Sequence, residues 1–362
     1  MTAMKPVLDL VVDANVVFLL AFLVWVTIQA VLKRTSFRAD YAAQLRMLRM
    51  VLVLVILSPL LSFALVTAFQ FLWPSAPITA TDLAVAAYLR GDFEISAVRF
   101  EELLNTRNEV FDLVLRGQLP WLTALMTMIA IGSLALFVRT LLTIAKINRI
   151  IGDSYVWRRT RTTRILLSDT ITVPFAARGV FRRHVVLPSS LIAHPRKLRI
   201  VLNHEFEHLR RGDVEWEVAF EILKPLLYWN PVYLLWKHAF DQLRELSCDR
   251  AVIDRLRISP RDYALAILSF VGPHDRRRTV EVFIVAFART GGARRSLETR
   301  LLALAAPRPA QAGRSLYVLA AVVFALTVTL FAASVRNPGD WSQDRLMLST
   351  VVNLERIRAL GY

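Results

Sequence analysis

The stretch Asn203 to Asp213 reads N-H-E-F-E-H-L-R-R-G-D and contains the pattern His204-Glu205-x-x-His208. Residues four apart return to nearly the same face of a helix, so the two histidines can offer imidazole nitrogens to one tetrahedral zinc ion. A carboxylate beside such an ion can take a proton from a metal-bound water and pass it to a leaving amine. The spacing therefore predicts two zinc ligands and, in Glu205, a catalytic base, although the same letters also fit polar residues on an ordinary amphipathic helix.

The chain is too apolar for a soluble protein of its size, with 55% hydrophobic residues among 362. Four runs without charged residues are long enough to cross about 30 Å of hydrocarbon as helices. The first run is too long for the apolar core of a signal peptide, and no small-residue cleavage site follows it. The predicted transmembrane helices are residues 14–32, 50–73, 117–138 and 315–335.

The net charge of +16 follows the pattern of a membrane protein, so we expect the lipid bilayer as a partner and no direct contact with nucleic acid. The loop 33–49 holds five basic residues against one acid, and the segment after the third span is strongly basic again. The loop 74–116 reverses this balance, with four arginines against seven acids. Because cytoplasmic loops carry an excess of Lys and Arg, residues 74–116 and both termini are expected outside.

The external loop 74–116 has apolar residues at helical spacing, which predicts one or two surface helices. Such helices could lie on the bilayer or receive a ligand. A short structured connector explains the pattern equally well. The domain division predicted so far is an N-terminal membrane domain, residues 1–144, followed by a cytosolic zinc metallopeptidase domain, residues 145–314.

Two strand signals precede the metal motif in this cytosolic region. Arg164 to Val173 and His184 to Leu187 are short β-branched or apolar runs, separated by a turn that contains glycine. A helix is predicted from about Pro195 into the His-Glu-x-x-His pattern. A small sheet followed by the metal-binding helix is the order of a zincin, so the predicted fold class is an α+β membrane protein with four transmembrane helices and a cytosolic gluzincin-type domain.

Pro225 to Trp236 is an apolar run of twelve residues that carries two prolines and four aromatic residues. It is too short to span a bilayer. Because Trp and Tyr favour the headgroup region, we expect the run to dip into the inner leaflet and to hold the metal site at the membrane surface. A buried core loop is the alternative.

A third metal ligand is predicted on the next helix, Lys237 to Leu256. Glu245 and Asp249 lie four residues apart there, so one face offers a carboxylate that completes a His-His-Glu set. The second carboxylate can accept the free ring N–H of a ligand histidine and fix its tautomer. Two acids on a helix usually form a solvated face, but their position after the metal motif favours the site.

Three patterns together, V-L-N-H-E-F-E-H-L-R-R-G-D, W-N-P and R-E-L-S-C-D-R-A-V, resemble the BlaR/MecR-type family of bacterial membrane zinc metallopeptidases, the β-lactam-sensor and antirepressor relatives. The resemblance covers roughly Thr172 to Val252. It implies that Zn²⁺ is held by His204, His208 and Glu245, that Glu205 is the base, that Asp249 supports a ligand histidine, and that Cys248 is a packed neighbour. It further implies an inner-membrane enzyme with a cytosolic active site whose substrate is a cytosolic transcriptional repressor or another protein or peptide.

The chain departs from that family after the last span. The family's receptors carry a penicillin-binding domain there, whereas only residues 336–362 follow here, and we expect a short external tail. Sensing of β-lactams by such a domain is therefore not expected.

Two other functions fit parts of the sequence. A housekeeping membrane protease of the HtpX or CAAX-processing type shares the metal motif and downstream acids, and a non-catalytic receptor could keep zinc as a structural brace. Within the leading hypothesis, the chain itself is a second candidate substrate. The segment Gly291 to Arg300 reads as an unstructured linker that could enter the cleft, although a plain linker is an equal alternative.

Overall fold

The computed structural model describes residues 5–34, 40–72, 80–92, 95–116, 118–179, 182–268, 292–305, 322–324, 326–330 and 343–359. These residues are mostly helical, with one small sheet. The chain divides into two compact units. The first comprises Met1–Val31, Arg46–Met128 and Ala312–Tyr362, and the second comprises Leu32–Leu45 and Ile129–Gln311.

Long apolar helices coincide with the first three predicted spans. Helix α1 (Lys5–Lys33) and helix α2 (Tyr41–Leu72) contain the first two, and helix α5 (Pro120–Gly152) contains the third and continues well past it. By length and composition, two windows among the described residues could cross a membrane, Tyr41–Ser58 and Pro120–Gly152. Asn15–Ala30 is a shorter apolar helix. Most of the fourth predicted span lies outside the described residues. The two parts of this span that are described, residues 322–324 and 326–330, are helical.

The predicted loop 74–116 contains two helices, α3 (Ala80–Leu89) and α4 (Ala97–Leu115), as expected from its helical spacing. Helix α11 (Gln343–Ala359), from the C-terminal tail, packs against both of them. Their shared core consists of Val85, Ala97, Phe100, Leu348 and Val352. The loop and the tail therefore form one small helical cluster, which the sequence did not predict.

Four strands form the sheet of the second unit: β1 (Tyr155–Arg159), β2 (Thr163–Ser168), β3 (Phe175–Arg178) and β4 (Arg183–Pro188). Their order is β1-β2-β4-β3, and only the central pair β2 and β4 is parallel. The central strands are buried over nearly their whole length, which explains the short apolar runs at their centres, Ile165 to Leu167 and Val185 to Leu187. The core over this sheet contains Ile165, Val185, Leu187, Leu191, Val201 and Leu209.

Among the described residues, five α-helices follow the sheet in this unit: α6 (Pro195–Arg211), α7 (Asp213–Leu227), α8 (Pro231–Leu256), α9 (Pro260–Leu268) and α10 (Gly292–Ala305). Helix α6 ends at Gly212, whose φ of 70° is the left-handed conformation that favours glycine at a helix C-terminus. Asn230 caps helix α8, since its side chain accepts a hydrogen bond from the Val232 N–H at 2.8 Å. Gly212 thus marks the turn between α6 and α7, and Asn230 marks the turn between α7 and α8.

Helix α10 corrects the interpretation of residues 291–300 as an unstructured linker. The chain is helical from Gly292, and Leu304 packs with Val252 and Tyr263 in a buried cluster with helices α8 and α9. A protease accepts an extended segment, so residues 292–300 are not a cleavage site in this conformation. Two glycines and three arginines are typical of a linker, but Leu297, Leu301 and Leu304 recur at helical spacing and favour a helix here. Gly291 lies outside the described residues.

Candidate metal centre

The two histidines of the His-Glu-x-x-His pattern lie on one face of helix α6. Their rings are perpendicular, with centroids 4.7 Å apart. Their Nε2 atoms approach to 3.1 Å. Two atoms that bind one tetrahedral ion at about 2.0–2.1 Å lie about 3.3 Å apart, so this pair has the spacing of two ligands on a single zinc ion.

Helix α8 brings the Glu245 carboxylate to the same point. One carboxylate oxygen lies 3.6 Å from His204 Nε2, and the other lies 3.8 Å from His208 Nε2. The three predicted ligands, His204, His208 and Glu245, are thus placed together with two nitrogen donors and one oxygen donor facing one point. This donor set fits zinc, which takes imidazole and carboxylate ligands and leaves a fourth position open in catalytic sites.

Cys248 offers a second possible donor set. Its buried sulfur lies 3.5 Å from His204 Nδ1, and His204, His208 and Cys248 have potential ligand atoms within 4.8 Å of one another. The sulfur, however, approaches the Nδ1 side of the His204 ring, whereas Glu245 faces the Nε2 side. A metal between the two Nε2 atoms would therefore be completed by the carboxylate, with the cysteine behind the ring.

The opposite nitrogen of each histidine has a partner that fixes the ring. His208 Nδ1 lies 2.7 Å from a carboxylate oxygen of Asp213, which is almost fully buried. His204 Nδ1 lies 2.9 Å from the Tyr263 hydroxyl and 3.5 Å from Asp249. Tyr263 in turn donates to Asp249 at 2.6 Å. Asp249 was predicted to accept the ring N–H of a ligand histidine, but the nearer partner of His204 Nδ1 is the Tyr263 hydroxyl, and Asp249 lies behind it as the acceptor from that hydroxyl.

Asp213 and Tyr263 were not predicted as partners of the histidines. For Asp213 a local signal existed, because Gly212 turns the chain back immediately after the metal helix and returns the next residue toward it. For Tyr263 there was none, since it arrives on helix α9 from a distant part of the sequence. Partners of this kind orient metal ligands and raise their basicity.

Two arginines hold the Glu245 carboxylate. Arg300 lies 3.2 Å from one oxygen, and Arg244 lies 3.1 Å from the other. Burial on its own raises the pKa of Glu245, but Arg300, the hydrogen bond to His204 and the charge of His208 outweigh it and hold that pKa well below its usual range. The carboxylate is therefore anionic at neutral pH, as a metal ligand must be.

The histidines have the opposite shift while no metal competes for their nitrogens. Burial lowers the pKa of His208, yet the neighbouring Cys248 and the hydrogen bond to Asp213 raise it to about 10. Burial also lowers the pKa of His204, but Cys248, Tyr263 and Glu245 raise it well above its usual value. Because only neutral imidazole binds a metal, loading this site must release protons.

The two glutamates of the pattern have different surroundings. Glu207 is buried in ion pairs with Arg211 at 2.9 Å and Arg255 at 3.0 Å, so it supports the fold. Glu205 is only 8% exposed, yet its carboxylate makes no hydrogen bond or ion pair with any residue that the structure describes. A buried carboxylate that directly follows His204 in the chain and is not engaged by any described residue is available to a substrate or a water molecule.

Comparison with known proteins gives one informative match. The family model described as BlaR1 peptidase M56 matches residues 9–304, which is most of the chain and includes every residue of the site described above. A search of curated proteins gives no match. The apolar helices, the convergent histidines and this match agree with the resemblance in the sequence motifs. The chain belongs to the BlaR1 peptidase M56 family and is a membrane metallopeptidase of that family.

Proposed function

We propose that this protein is a zinc-dependent endopeptidase of the bacterial inner membrane that transmits a signal by cleaving a cytosolic regulator. The observation that carries the proposal is the placement of His204 Nε2 3.1 Å from His208 Nε2, with Glu205 beside them and unengaged within the described chain. The antirepressor role rests on the family. A cytosolic transcriptional repressor is the partner we expect, and the protein itself has no direct role in binding nucleic acid.

In this proposal His204, His208 and Glu245 hold the zinc ion. When bound, zinc supplies Lewis-acid polarisation of a carbonyl and a lowered pKa for water. Asp213 and Tyr263 keep both rings turned so that their Nε2 atoms face the same point. Arg244 and Arg300 keep Glu245 ionised.

Glu205 holds and moves the proton. Its carboxylate accepts a proton on the nucleophile side and returns it to the nitrogen of the departing amine, which is the general acid–base role that a freely available carboxylate can perform.

Two alternatives make different use of the same residues. A structural zinc brace usually has four protein ligands, and here Cys248 would have to provide the fourth from behind the His204 ring. A brace also needs no base beside it, so the unengaged Glu205 favours catalysis. A housekeeping protease would share the chemistry and differ only in its substrates.

The chemistry is tested with the full chain in detergent, using casein and a fluorescence-quenched peptide library as probes. We expect Glu205→Gln to keep one zinc per chain and to lose at least about 100-fold in cleavage rate. Glu207→Gln is the matched control, since it removes a neighbouring carboxylate outside the proposed base role. Equal activity of Glu205→Gln and the unsubstituted chain would exclude this role.

The signalling role needs a different readout. Protein N-termini are compared between cells that express the unsubstituted chain and cells that express Glu205→Gln. We expect a new N-terminus in a cytosolic DNA-binding regulator only with the active chain. New N-termini confined to many unrelated membrane proteins would instead favour the housekeeping function.

A further inference from the structure

The end of the α7–α8 hairpin is apolar and exposed. We define the hairpin tip as residues 225–235. On helix α7, Val218, Ile222 and Leu226 are four residues apart and lie in one exposed row, with Ile222 63% and Leu226 65% exposed. The exposed row continues around the turn with Trp229, Leu234 and Leu235. An apolar surface of this extent marks a contact with protein or lipid.

The hairpin tip is attached to helix α5 by specific contacts. The Tyr228 hydroxyl donates to the Ile129 carbonyl at 2.9 Å, and the Ser133 hydroxyl donates to the Pro225 carbonyl at 2.6 Å. Gly132 lies under the tyrosine, and a Cβ atom there would be 2.2 Å from the hydroxyl oxygen. The tip therefore packs against a defined part of α5 where only glycine leaves enough room.

The position of these contacts along α5 gives the depth of the tip. Arg139 is the first charged residue after the apolar run of this helix, and Ile129 lies ten residues before it. At 1.5 Å per residue, Ile129 is about 15 Å from the level of Arg139. A hydrocarbon core is about 30 Å thick, so a helix that crosses it upright carries Ile129 near the midplane.

The distribution of charged residues along the hairpin agrees with this depth. The stretch between Lys224 on α7 and Lys237 on α8 has no charged residue. Lys237 pairs with Glu217 at 2.8 Å and with Asp241 at 2.6 Å, so these charges neutralise one another at the base of the tip. This distribution is expected where a hairpin passes from headgroups into hydrocarbon.

The polar groups of the turn are also satisfied internally. The Asn230 N–H donates to the Leu227 carbonyl at 2.9 Å, and the Asn230 side chain caps α8. The Trp229 indole N–H donates to the Leu226 carbonyl at 3.0 Å. Hydrocarbon provides no hydrogen bonds, so a turn inside it must satisfy its groups in this way.

We infer that the α7–α8 hairpin is a re-entrant membrane element whose tip is covered by lipid and reaches about the bilayer midplane beside helix α5. It penetrates more deeply than the shallow insertion that the sequence predicted. Glu245 lies eight residues beyond Lys237, or about 12 Å along α8. The hairpin thus holds the metal centre within about two helical turns of the cytosolic membrane surface. The inference concerns the membrane contact and stands independently of the proposed signalling role.

The test places nitroxide spin labels on the full chain in vesicles of phosphatidylethanolamine and phosphatidylglycerol. Leu226→Cys and Leu235→Cys carry the label at the tip, and Arg196→Cys on helix α6 carries it at an exposed site of the proposed cytosolic domain. Native Cys248 is buried, and the unsubstituted chain measures its background labelling. Both tip side chains are exposed, so the labels replace no core contact.

Accessibility is measured with oxygen, which concentrates in hydrocarbon, and with a water-soluble nickel chelate. We expect both tip labels to respond more strongly to oxygen than to nickel, and the Arg196 label to show the reverse. A tip that responds to nickel as strongly as Arg196 would overturn the inference, because the tip would then lie in water. A tip shielded from both reagents would overturn it too, since a second copy or another protein would cover the surface.

Discussion

The Arg300 guanidinium donates two hydrogen bonds to the Asp249 carboxylate, at 2.7 and 2.6 Å, although 51 residues separate the two in sequence. The same guanidinium lies 3.2 Å from Glu245. Helix α10 thereby supplies the positive charge that balances two acids on helix α8, the buried Asp249 and the partly buried Glu245. Arg300 touches the site through these acids and is a positioning residue.

Replacing Arg300 should weaken zinc binding. Without the guanidinium, the buried Asp249 and the partly buried Glu245 are left as neighbouring negative charges, and the ligand carboxylate loses its orientation. We expect Arg300→Ala to lower zinc affinity about 10- to 100-fold, as measured by competition with a chelator of known affinity. Arg300→Lys should recover only part of the loss, because an ammonium group keeps the charge but not the paired hydrogen bonds. Unchanged affinity in both variants would show that α10 does not support the site.

The identity of the third ligand is decided by comparing Glu245→Ala with Cys248→Ala. Because Glu245 faces the two Nε2 atoms and Cys248 lies behind a ring, we expect the first variant to lose zinc and the second to retain one zinc per chain. Metal analysis of both purified proteins gives the answer, with circular dichroism as the check on folding. The reverse result would assign the cysteine as the ligand and favour a structural brace.

The stability of the metal-free protein should depend on pH through His208. Its pKa in the folded state is raised to about 10, whereas an unfolded histidine titrates near 6.5. The stabilisation is therefore fully present below about pH 6.5 and is lost as the pH rises through about 10. Thermal melting of chelator-treated protein should show a falling midpoint between pH 7 and 10.

Asp213→Asn is the control for this pH effect, because it removes the carboxylate that pairs with His208. We expect the variant to show a smaller fall over the same pH interval. A decline of equal size would mean that other groups cause it. Zinc-loaded protein should also differ from the metal-free form, since the bound ring is neutral throughout.

Contacts within the first unit bear on the predicted membrane topology of the C-terminal tail and the loop 74–116. Arg356 in the tail lies 2.8 Å from Glu101 in helix α4, and Glu355 accepts a hydrogen bond from the Val98 N–H at 3.2 Å. Contact between tail and loop requires both to be on one side of the membrane. Reporter fusions after Asp92 and after the C-terminus should therefore register outside, and a fusion after Asp275 inside. Cytoplasmic activity of the Asp92 fusion would reverse the predicted orientation.

The sequence determined the features that depend on regular geometry within one element. Four-residue spacing on a helix places His204 beside His208, and the same rule places Glu245 and Asp249 on one face. Runs without charge predicted four transmembrane helices, and long apolar helices coincide with the first three of them. Short β-branched or apolar runs predicted strands that overlap the central strands β2 and β4. Such patterns are readable because the period of a helix or strand is the same in every protein.

The tertiary structure decided which distant elements meet. Tyr263 and Arg300 reach the metal centre from helices α9 and α10, and nothing in their local sequence distinguishes them from residues on an ordinary helix. The contact of Tyr228 with Ile129, which sets the depth of the hairpin, likewise joins segments 99 residues apart. These contacts arise because apolar faces are buried together as the chain packs, and the resulting neighbours depend on the whole fold rather than on any local period.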